Sequence, residues 1–162
     1  MAPTLGDQKY PLKPGDRFGG PSGDRFLVES QAGVGGQAVV FRVLDTRLSR
    51  NAAAKVSTAG GREKRSSMER FERELQLSAR INHPHVLQVY DCGELPGGEP
   101  FVLLEWMERG SLAGLIELSR QKGLLVPLEY VRYYGVALAA AIRAVHGTEM
   151  IHRDIKPDNV LI

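Results

Sequence analysis

The sequence predicts an α+β fold: a small five-stranded antiparallel, β-rich lobe with one inserted helix, followed by the first helices of an α-rich lobe. Three observations carry that prediction. Short apolar segments bounded by turn residues fill the stretch from Arg25 to Trp106. One segment of helical spacing interrupts them after the third strand. From Ser111 the apolar spacing turns helical.

Residues 1–24 read as a flexible lead, because Pro3, Pro11, Pro14, Pro21 and Gly15, Gly19, Gly20, Gly23 interrupt any periodicity. Arg25–Ala32 and Ala38–Asp45 read as strands around a glycine-rich turn. A third strand is expected at Ala52–Ser57, on context more than propensity, since alanines are poor strand formers. Ser66-Ser67-Met68-Glu69 can open a helix as a capping box, and Met68, Phe71, Leu75 and Ala79 continue it at helical spacing. Asn82-His83-Pro84 ends that helix. Strands at Val86–Asp91 and Phe101–Trp106 follow, joined by a turn at Pro96-Gly97-Gly98. Helices are expected at Ser111–Arg120 and Leu128–Val145, the second with Val131, Leu138, Ile142 and Val145 on one face and Gly147 as its stop. The domain boundaries are therefore 1–24, 25–106 and 107–162.

Composition excludes several classes. Of 162 residues, 43% are hydrophobic and 25% charged, the profile of a globular chain. The 21 cationic residues nearly balance 19 acidic ones, which argues for a mixed solvated surface and against a nucleic-acid partner. The single Cys92 excludes an internal disulfide and fits a reducing, cytoplasmic setting. The longest strictly apolar run, Val136–Ile142, falls far short of the ~20 residues of a membrane span. No apolar signal segment opens the chain. His83 and His85 flank a proline with no Cys or acidic cluster beside them, which reads as a structural link and not a metal site.

Three segments carry chemistry. Gly33-Val34-Gly35-Gly36-Gln37-Ala38-Val39-Val40 follows G-x-G-x-x-G-x-V with Ala38 in place of the third glycine. Glycines in a hairpin let backbone N–H groups approach phosphate oxygens without a Cβ in the way. A dinucleotide-binding fingerprint is disfavoured, because its glycines open a helix whereas Ala38–Asp45 reads as a strand. Lys55 on the third strand and Glu74 on the following helix form the second element, a lysine that an ion pair could hold toward phosphates. The third is His152-Arg153-Asp154-Ile155-Lys156-Pro157-Asp158-Asn159. It places a carboxylate, a cation and an amide within six residues on a loop. Phosphoryl transfer needs those types together: a base for the attacking hydroxyl, a cation for the moving charge, and an amide oxygen for Mg²⁺.

In the order and spacing of these pieces the chain resembles the eukaryotic-type (Hanks-type) serine/threonine protein kinases, in its bacterial phrasing, from about Arg25 to Ile162. The resemblance implies a two-lobed kinase fold, truncated here after the catalytic loop, and transfer of the γ-phosphoryl group of ATP to Ser or Thr hydroxyls of proteins. It implies ATP and Mg²⁺ as cofactors. Asp154 would be the catalytic base, Lys156 the γ-phosphate partner and Asn159 a Mg²⁺ ligand. Lys55, held by Glu74, would contact the α- and β-phosphates under the loop Gly33, Val34, Gly35, Gly36, Gln37 and Ala38. Val40, Ala53 and Leu161 would sandwich adenine, Leu104 would be the gatekeeper, and the backbone of Glu105 and Met107 would read the adenine edge. Lys156, two residues after Asp154, matches the serine/threonine pattern and not the tyrosine one.

The chain departs from that pattern at Ala38, at Ser78 where a bulky apolar residue is usual, and in having no Asp-Phe-Gly after Asn159. The last departure leads to the expectation of an incomplete catalytic domain, inactive as it stands, with the apolar face of the second helix uncovered. Two rivals stand beside it. One is an inert nucleotide-binding or interaction module; the other, a small-molecule phosphotransferase of the related antibiotic-kinase type, is disfavoured by the context of Arg153 and Lys156.

Overall fold

The computed structural model describes residues 10–36, 38–58, 81–148 and 151–162. The chain divides into two compact units, one of Met1–Glu72 and Val89–Trp106, the other of Arg73–Gln88 and Met107–Ile162.

The first unit is an antiparallel sheet of strands β1 (Arg17–Phe18), β2 (Phe26–Val34), β3 (Ala38–Asp45), β4 (Arg50–Ser57), β5 (Val89–Glu94) and β6 (Pro100–Glu105). Their order is β1-β2-β3-β4-β6-β5. β3 alternates without a break: Val39, Phe41, Val43 and Asp45 are buried, while the residues between them are half-buried. That period of two gives the sheet one core face and one other face. The core face collects Phe26, Val28, Val39, Phe41, Val43, Ala52, Ala54, Val56, Phe101 and Leu103. Phe18 meets Phe101 edge-on at 5.0 Å and Phe26 at 5.5 Å between ring centroids. Each such side chain taken from water contributes about 1.5–3 kcal/mol.

β4 forms despite its alanines, and begins two residues earlier than expected, at Arg50. It is an interior strand, laddered to β3 and β6. Ala54 lies across from Phe41 on one side and Leu103 on the other, so its small side chain leaves room for two large neighbours. Cross-strand packing therefore overrides intrinsic propensity here.

Three differences from the sequence-based expectations have physical causes. The sheet has six strands, not five. The sixth, β1, lies in the stretch read as a flexible lead, where Phe18 and Leu12 are buried in the core. The glycines of that stretch act as fixed turns: Gly19 sits at φ +69°, and a Cβ there would fall 2.5 Å from the Phe26 ring. β5 spans Val89–Glu94, three residues later than expected at each end. The chain turns at Pro84–Val86, where the Val86 N–H donates to the His83 carbonyl at 3.0 Å, and this delays the strand. The inserted helix, with Ser66, Phe71, Glu74 and Ser78, lies outside the described residues, as does Gln37.

Asp45 is the buried charged residue among the described residues. It accepts from Arg25 Nη2 at 2.8 Å and Nε at 3.2 Å, and from the backbone N–H groups of Arg47 and Leu48. Burial opposes its ionisation, but the Arg25 hydrogen bond, the two backbone donors and the Arg25 charge together hold its carboxyl below the usual range. Arg25 also reaches Asp91, 66 residues away, at 3.1 Å, tying the residue just before β2 to β5.

In the second unit, α1 (Leu112–Gln121) is capped by Ser111, whose Oγ accepts from the Gly114 N–H at 3.2 Å. α2 (Leu128–His146) follows and ends at Gly147, which keeps right-handed geometry at φ −63°. A 3-10 turn covers Pro157–Asn159. The segments 109–112 and 160–162 pair: the Ile162 N–H donates to the Gly110 carbonyl at 2.9 Å, and the Leu112 N–H to the Val160 carbonyl at 2.8 Å. Among the described residues, no helix is long and apolar enough to cross a membrane.

Candidate active site

The ladders decide which side chains share the face opposite the core. Val40 pairs with Lys55, and Lys55 with Val102; Ala53 pairs with Leu104. Residues directly across an antiparallel ladder point to the same side. Val40, Ala53, Lys55 and Leu104 therefore share one face. Ala54 and Val56, on either side of Lys55, point into the core and leave the lysine exposed. At one end of this face the β2–β3 hairpin closes through the Gly35 N–H donating to the Ala38 carbonyl at 2.8 Å. Among the described residues, no atom lies within 4 Å of where a Cβ of Gly33 or Gly36 would stand. Toward the described residues the space beside their backbone is open, as phosphate approach requires. At the other end β6 finishes at Glu105, followed by Trp106 and Met107.

The second unit holds the other group. Asp154 Oδ2 lies 3.0 Å from Lys156 Nζ. Asn159 Nδ2 donates to the same oxygen and to the Asp154 carbonyl, each at 2.8 Å. The Pro157–Asn159 turn brings the amide back: the Asn159 N–H donates to the Lys156 carbonyl at 2.9 Å. Arg153 takes a left-handed conformation, φ +62°, one residue before the carboxylate. Strain of this kind is uncommon outside glycine and concentrates at functional sites. The hydrogen bond from Lys156, then that from Asn159, then the charges of Lys156 and His152 hold the Asp154 carboxyl below its ordinary range. The group is thus an exposed, ionised carboxylate with a cation and an amide fixed on it.

Asn159 spends its amide nitrogen on Asp154, which leaves Oδ1 as its coordinating atom. An amide oxygen suits Mg²⁺, which takes oxygen ligands and keeps several waters or phosphate oxygens. The donor chemistry fits that ion.

Of the residues expected from the sequence, the structure gathers Gly33, Val34, Gly35, Gly36, Ala38, Val40, Ala53, Lys55, Leu104 and Glu105 along one sheet, and Asp154, Lys156 and Asn159 in one loop. Leu161 pairs with Ser111 beside that loop, and Met107 begins the longer segment of the second unit. Glu74 and Gln37 fall outside the described residues. His152 was quoted in the motif but given no role: its Nδ1 accepts from the Asp154 N–H at 3.4 Å. Its place two residues before the carboxylate was the available signal.

Residues 26–162 match the family described as "Protein kinase domain". The chain belongs to that family. It is 36% identical over 138 residues to the serine/threonine-protein kinase PknL of Mycobacterium bovis, covering 85% of this chain and 33% of that protein. It is 37% identical over 135 residues to PknK of Mycobacterium tuberculosis, covering 82% of this chain and 11% of that protein. Among solved structures it resembles the Mycobacterium tuberculosis PknI kinase domain, with TM-score 0.72 and 26% identity, over 93% of this chain and 58% of that one. The kinase-domain chain thus spans at most a third of these two relatives' lengths and somewhat over half of a solved kinase domain.

Proposed function

We propose that this chain supplies the nucleotide-binding sheet and the catalytic loop of an ATP-dependent protein kinase that phosphorylates Ser or Thr hydroxyls. The observation that carries the reading is the Asp154 cluster, a carboxylate kept ionised by a lysine at 3.0 Å and an asparagine amide at 2.8 Å.

In this reading Asp154 orients the substrate hydroxyl and accepts its proton as the phosphoryl group moves. Lys156 offsets charge on that group, and its position two residues after Asp154 favours Ser and Thr over Tyr. Asn159 and Glu74 serve as a Mg²⁺ ligand and the Lys55 partner, as in the family pattern. Mg²⁺, when bound, neutralises phosphate charge. Lys55 holds the α- and β-phosphates on the face it shares with Val40 and Ala53, against which adenine packs. Leu104 bounds that packing surface, and the backbone of Glu105 and Met107 reads the base. Leu161 is the remaining residue assigned to adenine packing. The site works in the cytoplasm, where ATP is available, on protein substrates.

The test is transfer of labelled γ-phosphate from ATP to a mixed Ser, Thr and Tyr peptide pool, assayed in the complete protein. Label on Ser and Thr alone, abolished by a chelator and by Lys55→Met without loss of the folded signal, is expected. Undiminished turnover in Lys55→Met would show that the sheet face is misassigned.

A further inference from the structure

Arg42 stands on the same sheet face as Lys55, directly across the ladder from Ala53. Its guanidinium carbon lies 5.4 Å from the centroid of the Trp106 ring, and its Nε lies 2.9 Å from Glu29 Oε2. Glu29 comes from β2, so three separate segments meet here. Trp106 directly follows Glu105, whose backbone is assigned to the adenine edge. The indole N–H of Trp106 is buried with no hydrogen-bond partner among the described residues. A ring whose polar handle is unsatisfied is held by what packs on it, and a planar guanidinium ion-paired with a carboxylate is suited to that task.

We propose that Arg42, anchored by Glu29, braces Trp106 and so fixes the backbone of Glu105 for base recognition. This makes Arg42 a positioning residue for purine selectivity, a role that rests on the nucleotide reading of this face. Arg42 acts on the base-reading strand end and not on the phosphates. Its loss should therefore blunt discrimination between adenine and guanine while phosphate binding persists.

Trp106 is the sole tryptophan of the chain, so its fluorescence reports on this corner alone. ATP, GTP and inorganic tripolyphosphate are titrated into the 162-residue chain, with calorimetry alongside. Wild type should prefer ATP to GTP. Arg42→Ala should reduce that preference about three- to tenfold, the scale of a lost cation–π contact, and red-shift Trp106 emission. Tripolyphosphate affinity should not change. Arg42→Lys, which keeps the charge but not the planar stack, should recover part of the preference. Equal weakening of all three ligands in Arg42→Ala, or an unchanged ATP-to-GTP ratio in both variants, overturns the brace while leaving the nucleotide reading intact. Failure of wild type to bind ATP by calorimetry overturns the nucleotide reading, and the brace with it.

Discussion

The two units hold their candidate site residues by different means. In the sheet, Phe26, Phe41, Val43, Ala52, Ala54, Val56 and Leu103 are completely buried, and ladder register alone determines that Lys55 points the other way. In the second unit, α2 buries only Ala141, while Leu128 and Val136 are 80% and 67% exposed. The Asp154 loop there is shaped by short-range hydrogen bonds between residues two to five positions apart and by the pairing of 109–112 with 160–162. A binding face can thus be placed by long-range packing. The Asp154 loop places its groups by local bonding.

That contrast can be broken most forcefully at the sheet core. Phe41→Ala should cost about 3–5 kcal/mol, measured by urea unfolding of the sheet, because it opens a cavity beside Ala54. Loss below 1 kcal/mol would mean the sheet is not packed as described. Next comes the buried charge. Asp45→Ala strands Arg25 and should cost about 3 kcal/mol. Because the folded carboxyl of Asp45 titrates below its unfolded value, its stabilisation is complete above about pH 4 and is lost as pH falls through the folded pKa. Wild type should lose stability over that acid range more steeply than Asp45→Asn, as followed by circular dichroism. At the small end, Val136→Ala on α2 should change stability by no more than about 0.5 kcal/mol in the same unfolding assay. A larger loss would show that this face is covered in the protein.

How legible these features were follows the same division. β3 was readable to the residue, because Val39, Phe41 and Val43 alternate strictly between a glycine turn and Asp45. The gathering of Asp154, Lys156 and Asn159 was readable because they lie within eight consecutive residues. β1 was not, since two residues carry no periodicity and its signal is Phe18 finding Phe26 and Phe101. β5 was misplaced because Val86 and Leu87 look like strand residues, while the turn at Pro84 is set by a backbone bond. Arg25 with Asp45 and Asp91, and Arg42 with Trp106, were invisible for one reason: each joins residues distant in sequence whose meeting depends on register.

The loop also makes a pH statement. Lys156→Ala removes the hydrogen bond that contributes most to lowering the Asp154 pKa, so the acid limb of kcat should move to higher pH, toward that of an ordinary carboxylate. An unmoved limb would mean that Lys156 does not hold Asp154 in the working enzyme.

The most direct measurement is steady-state turnover and ATP affinity side by side in Asp154→Asn. If Asp154 is the base of the transfer, kcat should fall by about 10²–10⁴-fold while the ATP dissociation constant stays within about twofold of wild type. Equal losses in both quantities would contradict that role and make Asp154 a structural member of its loop.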